Sequence, residues 1–214
     1  VNLGFIDKEE GTEEIIAVPE QTPNTLIPDV KLPFGHVFAV GKGSNGEMGV
    51  YRLENKAVRG SGSMETQGIE NNRPVKEAIN AAFKYFENNA RKVIPGIKVK
   101  DKDYLLTYMD VQNKGKSKEV SLGEFIGLCS ALAEISVGES LVIAGEIKLS
   151  GTMGELTNLE DIFRVCKNAG AKRVMIPMKC LGELQSVSEE LVSEVQPVLY
   201  KDPIDAAKKA LDIF

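Results

Sequence analysis

The sequence predicts a single mixed α/β domain of the α+β kind, and three observations point to it. The chain has 214 residues, 43% of them hydrophobic, enough to fill one well-packed core. From about residue 103 onward, β-rich and helix-patterned segments alternate. Before that, two short β-rich runs flank a glycine-rich turn in the manner of a hairpin.

Residues 1–33 stand apart from the rest. They hold four of the nine prolines, Pro19, Pro23, Pro28 and Pro33, together with two acidic clusters. They read as an extended arm or linker ahead of a domain at 34–214. The chain starts at Val1 rather than Met, and is expected to be a piece of something longer.

HVFAV (36–40) and GVYRLE (49–54) are rich in β-branched and aromatic residues and predict two strands. Asn45-Gly46 between them is a hairpin signal. That loop also carries Gly41-x-Gly43-x-x-Gly46, the spacing of a dinucleotide fingerprint. The fingerprint requires a helix after the glycines, and a strand pattern follows here, so the hairpin reading is preferred. A third strand is expected within AVRGSGSME (57–65). VKEAINAAFKYFENNA (75–90) sets Val75, Ile79, Ala82, Phe83 and Phe86 on one helical face. DYLLTYMDV (103–111) predicts a buried strand, and SLGEFIGLCSALAEI (121–135) a central helix, apolar on most sides. LVIAGEIKL (141–149) predicts a strand, and residues 156–170 a helix closed by Gly170. KRVMIP (172–177) and VQPVLY (195–200) predict two more strands around a mixed segment. Asp202-Pro203 supplies an N-cap and a first-turn proline for the last helix.

Composition narrows the function classes. A formal net charge of −5 gives no global attraction to nucleic acid or an anionic membrane. Cys129, Cys166 and Cys180 are odd in number and widely spaced, as expected of reduced thiols in a cytoplasmic protein. His36 is the only histidine, so zinc motifs are missing and a Ser–His–Asp triad would rest on it alone. No apolar run approaches the roughly 18–20 residues of a membrane span.

In KGKSKEVSLGEF (114–125) a basic loop turns into the central helix at Ser121. Ser-x-x-Glu there is a capping box, with Glu124 reaching back to the Ser121 N–H. On that reading Ser121 is a helix cap. The alternative is a nucleophile.

Several segments together resemble the proteolytic domain of the Lon protease superfamily, from residue 34 to 214. GSGSMETQG (60–68) is similar to the glycine-rich strand end before the first long helix of that family. SLG (121–123) stands where the family has Ser-Ala-Gly, whose serine is the nucleophile. GEIKLSGTMGELTNLEDIF (145–163) resembles Gly-Glu-Ile-Thr-Leu-Arg-Gly leading into Gly-Gly-Leu-Lys-Glu-Lys, and NAGAKRVMIP (168–177) the segment that follows. DYLLTYMDVQ, SLGEFIGLCSAL, NLEDIF, AGAKRVMIPM and YKDPIDAAKKAL resemble, more narrowly, the Lon-like domain of the BrxL family, AAA+ proteins of BREX phage defence. The resemblance implies the Lon proteolytic-domain fold, of the class seen in domain 2 of ribosomal protein S-five. It also implies a preceding AAA+ ATPase module that holds ATP and Mg, and a homo-oligomeric ring. DNA or other BREX components are possible partners; this domain itself is expected to hold no cofactor.

Lon catalysis uses a Ser–Lys dyad, in which a neutral lysine amine takes the serine proton. Matched on Leu159, the family's catalytic lysine falls at Ile162, with Asp161 and Phe163 beside it. The threonine that orients that lysine is here Ala144. Lys167 lies more than a turn further on, and Lys116 and Lys118 sit in a loop, where an amine keeps a pKa near 10.4. Lys148, on the GEIKL strand, is the candidate for a relocated base. The expectation is a Lon-like domain degenerate as a protease and used for assembly or partner contact. Two alternatives stay open: an active ATP-dependent serine peptidase using Ser121 and Lys148, and a nucleic-acid-binding accessory domain reading through NKGKSK (113–118).

Overall fold

The computed structural model describes residues 25–69 and 71–213. Seven strands form one mixed sheet: β1 (His36–Lys42), β2 (Met48–Arg59), β3 (Met64–Gln67), β4 (Lys102–Asp110), β5 (Leu141–Ala144), β6 (Arg173–Pro177) and β7 (Gln196–Tyr200). Their spatial order is β3-β4-β2-β1-β5-β6-β7. β2 is antiparallel to both β1 and β4, whereas β3/β4, β1/β5, β5/β6 and β6/β7 are parallel. The helices are α1 (Arg73–Val93), α2 (Ser121–Ala133), α3 (Leu159–Ala169), α4 (Glu189–Glu194) and α5 (Pro203–Ala210).

Strand alternation sends neighbouring side chains to opposite faces. Val37, Tyr104, Ile143, Met175 and Tyr200 join α1, α2 and α5 in one cluster. Phe38, Val40, Val50, Val142, Ala144, Val174 and Ile176 join α3 and α4 in another. The sheet is thus covered on both sides, with α2 and α3 on opposite faces.

The expected hairpin is present: β1 and β2 pair from His36↔Glu54 to Lys42↔Met48, and Gly46 turns with φ +89°. Of the fingerprint glycines, Gly41 therefore lies in β1 and Gly43 and Gly46 in the connecting loop, with a strand after them. α1 is capped by Asn72, whose side chain accepts from the Val75 N–H at 3.1 Å. α5 is capped as expected, Asp202 accepting from the N–H groups of Ile204 and Asp205 at 2.9 Å each. Gly170 closes α3 with φ +94°.

Three boundaries differ from expectation. The segment 57–65 is no strand of its own: β2 runs to Arg59 and β3 starts at Met64. Between them the Asp103 carboxylate accepts from the Ser61 and Ser63 N–H groups at 2.9 Å each, which turns the chain. The strand expected at 141–149 stops at Ala144, because Gly145 (φ +155°) swings the chain off the sheet. A Cβ at Gly145 would lie 2.4 Å from the Tyr200 hydroxyl. Residues 146–154 instead fold back on themselves, with an Ile147↔Met153 bridge and Gly154 N–H on the Glu146 carbonyl at 2.7 Å. The helix expected at 156–170 starts only at Leu159, after Asn158 in a left-handed conformation.

Most of the arm reading, residues 1–24, lies outside the described residues. Residues 25–33 lie against the domain: Ile27 is buried, its N–H on the Ala169 carbonyl at 2.9 Å, and Asp29 accepts from Ser140 Oγ at 2.9 Å and pairs with Lys172.

α2 is buried from Ser121 to Ala131. Its apolar residues Leu122, Phe125, Ile126 and Leu128 each contribute about 1.5–3 kcal/mol by leaving water. Two glycines set how near it lies to the sheet. A Cβ on Gly123 would meet the Ala39 Cβ at 2.9 Å, and one on Gly127 would meet Asn55 Nδ2 at 2.4 Å. Ala39 sits on a paired strand and cannot swing aside. Gly123→Ala should therefore destabilise the chain by about 1–3 kcal/mol in urea unfolding, despite alanine's better helix propensity of about 1 kcal/mol. An unchanged midpoint would mean that α2 can back away from β1.

Candidate functional site

The loop that delivers Ser121 is held from below. The Asp110 carboxylate accepts from the N–H groups of Gln112 and Lys114 at 3.2 Å each and of Gly115 at 2.7 Å. The Tyr51 hydroxyl donates to the Gly115 carbonyl at 2.7 Å, and the Ser117 N–H donates to the Tyr108 hydroxyl at 2.8 Å. Two lysines of the basic run are in ion pairs, Lys114 with Glu47 and Lys118 with Glu146 at 3.2 Å.

Ser121 is the first residue of α2 and is 0% exposed. Its hydroxyl does not cap the helix. The capping position is Val120, and no side chain bonds the first-turn N–H groups there. Ser121 Oγ instead accepts from the Ile147 N–H at 2.7 Å and donates towards the Ile147 carbonyl at 3.3 Å. The reciprocal half of the capping box is missing as well, because Glu124 turns inwards and accepts from Asn55 Nδ2 at 3.2 Å. The reason is burial. A helix enclosed on all sides carries Glu124 into the contact with the sheet, where it bonds Asn55 on the facing strand β2.

The 146–154 turn covers Ser121. It is fastened by the Lys118–Glu146 pair on one flank and by the Lys179 amine on the Gly154 carbonyl at 3.1 Å on the other. Lys148, the candidate relocated base, follows Ile147 with its side chain exposed, and its backbone N–H bonds the Thr152 carbonyl at 2.9 Å. Among the described residues no lysine amine is hydrogen-bonded to Ser121 Oγ; Ile147 supplies both partners. Ile162, at the dyad position, is 1% exposed and packs with Ala144, Phe38 and Val142 on the sheet face opposite α2. His36 lies on that opposite face too. Its Nδ1 is 3.2 Å from Arg52 Nη2, and burial lowers its pKa. Neither residue meets Ser121.

A Ser–Lys dyad needs an amine within about 2.6–3.2 Å of the hydroxyl and a lysine pKa lowered by desolvation. Here both hydroxyl functions of Ser121 are engaged by the Ile147 backbone, and the residue matched to the family's lysine is an isoleucine packed on the other face of the sheet. Two residues of this region were not visible as a pair in the sequence, Asn55 and Glu124. A signal existed: Glu124 is the one charge inside SLGEFIGLCSALA, a helix with no polar face to put it on.

If Ser121 ties down Ile147, Ser121→Ala should cost about 1–3 kcal/mol by orphaning that buried N–H. Ser121→Asp should be worse than alanine, since its carboxylate would be buried beside the Ile147 carbonyl. Thermal unfolding of the three chains distinguishes this from a helix cap, for which aspartate would be tolerated.

Residues 40–212 match the Lon protease (S16) C-terminal proteolytic domain. The Lon-like protease BrxL of Bacillus cereus (strain H3081.97) is 36% identical over 213 residues, covering 100% of this chain and 32% of its own length. That of Escherichia coli O9:H4 (strain HS) is 35% identical, covering 100% and 31%. Lon protease 1 of Syntrophobacter fumaroxidans is 25% identical over 167 residues, 74% of this chain and 20% of its own. The chain thus spans about a third of the length of its BrxL relatives. With the resemblance in the motifs matched along nearly its whole described length, the chain belongs to the Lon protease (S16) C-terminal proteolytic domain family.

Proposed function

We propose that this domain keeps the Lon-type scaffold without its Ser–Lys chemistry, and serves assembly and partner contact within a longer ATP-driven protein. One observation carries the reading: the Ser121 hydroxyl is engaged by the backbone of Ile147, while buried Ile162 occupies the lysine position. Without a base the serine oxygen stays a weak nucleophile, and the 146–154 turn keeps a scissile carbonyl away from it. Ala144 removes the hydroxyl that would orient a lysine, which fits the loss of the whole dyad rather than of one member.

On this reading ATP and Mg act on an AAA+ module elsewhere in the longer protein, whose ring sets the oligomer. The similarity to proteins named BrxL supports a role in BREX phage defence. Contact with DNA is the less favoured use of the 113–118 loop. Lys114 and Lys118 already face Glu47 and Glu146, so fewer positive charges are left to release counterions from a phosphate backbone.

The test uses the longer, ATPase-linked protein with casein, ATP and Mg. Native and Ser121→Ala proteins should show equal cleavage, at the background level, and a serine-reactive probe should not label Ser121. Labelling at Ser121 that disappears in Lys148→Ala would establish the relocated dyad and overturn the proposal.

A further inference from the structure

Where α2 crosses the sheet, Asn55 (1% exposed) and Glu124 (0%) face each other. Asn55 Nδ2 donates to Glu124 Oε2 at 3.2 Å, which joins the two groups on one side. The remaining oxygen of each, Asn55 Oδ1 and Glu124 Oε1, is buried without a hydrogen-bond partner. If Glu124 is ionised, both orphans are acceptors, and two unsatisfied oxygens at one buried contact are costly. One proton removes both defects, because a carboxylic acid and a primary amide have complementary donors and acceptors.

We propose that Glu124 is held as the neutral acid and donates its proton from Oε1 to Asn55 Oδ1, closing a two-bond acid–amide pair that ties α2 to β2.

The surroundings favour a neutral group. The sheet turns Val37, Ala39, Leu53 and Asn55 towards α2. The charged residues of β1 and β2 near this point, His36, Arg52, Glu54 and Lys56, alternate to the other face. β5 is Leu-Val-Ile-Ala, and α2 has no second charge. On α1 the buried residues are apolar, while Glu77 pairs with Arg73 and Glu87 with Lys84. On α5, Asp205 and Lys209 pair with each other and Lys208 is partly exposed. Burial pushes the Glu124 carboxyl up to about 8 from its ordinary 4.5, and only the Asn55 bond acts in the other direction.

A stability consequence follows from linkage. The unfolded chain releases the Glu124 proton near pH 4.5, whereas the folded chain keeps it until about pH 8. The stability contributed by this pair is therefore fully present below pH 4.5 and is lost progressively as the pH rises to about 8. Glu124→Gln mimics the neutral acid, its amide nitrogen replacing the acid proton as donor to Asn55 Oδ1.

Urea unfolding of the full chain and of Glu124→Gln across this pH range tests the pair. The unfolding constant of the native chain should rise relative to the variant by up to about tenfold per pH unit, then level off above about pH 8. Parallel pH profiles would overturn the proposal. Should Glu124→Gln fail to fold, infrared titration of the native Glu124 carboxyl, assigned by residue-specific isotope labelling, decides it. A midpoint near 8 supports the neutral acid, and one at the ordinary carboxylate value overturns it.

Discussion

The depth at which α2 lies on the sheet governs the rest of the molecule. Gly123 and Gly127 remove the side chains that would stand between helix and strands, so the α2 backbone approaches β1 and β2 directly. Close approach buries the contact: Ser121 and Glu124 are 0% exposed and Asn55 1%. Polar groups carried into it bond what the packing brings near, Asn55 for Glu124 and Ile147 for Ser121. The same proximity brings the Leu122 N–H within 3.3 Å of the Gly145 carbonyl, where the chain leaves β5. The start of the helix, the end of the strand and the turn that covers them thus form one connected contact.

This arrangement gives a serine at a helix start a structural role that needs no nucleophilic chemistry. A lysine at position 162 would have to stay neutral in an apolar setting, at the cost of a pKa shift of several units. Isoleucine meets no such demand, and packs with Phe38, Val142 and Ala144 instead. The serine keeps a structural use, satisfying a backbone N–H that the Gly145 departure from the sheet leaves unpaired.

The order of elements was legible in the sequence where local signals are strong. The Asn45-Gly46 hairpin, the apolar face of α1, the Asp202-Pro203 start of α5 and the Gly170 close of α3 all rest on contacts within a few residues. Boundaries set by remote partners were misjudged. Asp103 turns the chain after β2 from 42 and 40 positions beyond Ser61 and Ser63, and Tyr200 stands over Gly145 at the end of β5. No window along the sequence contains both halves of those contacts.

The sequence by itself determined the mixed α/β class and the family resemblance, since these are matters of pattern and residue identity. Only the tertiary structure decided what Ser121 and Glu124 do. Ser-x-x-Glu ahead of an apolar run reads as a capping box on any solvent-facing helix. Enclosure on all sides redirects both side chains, because a buried polar atom bonds whatever group the packing brings within reach. Here that is Ile147 for one and Asn55 for the other.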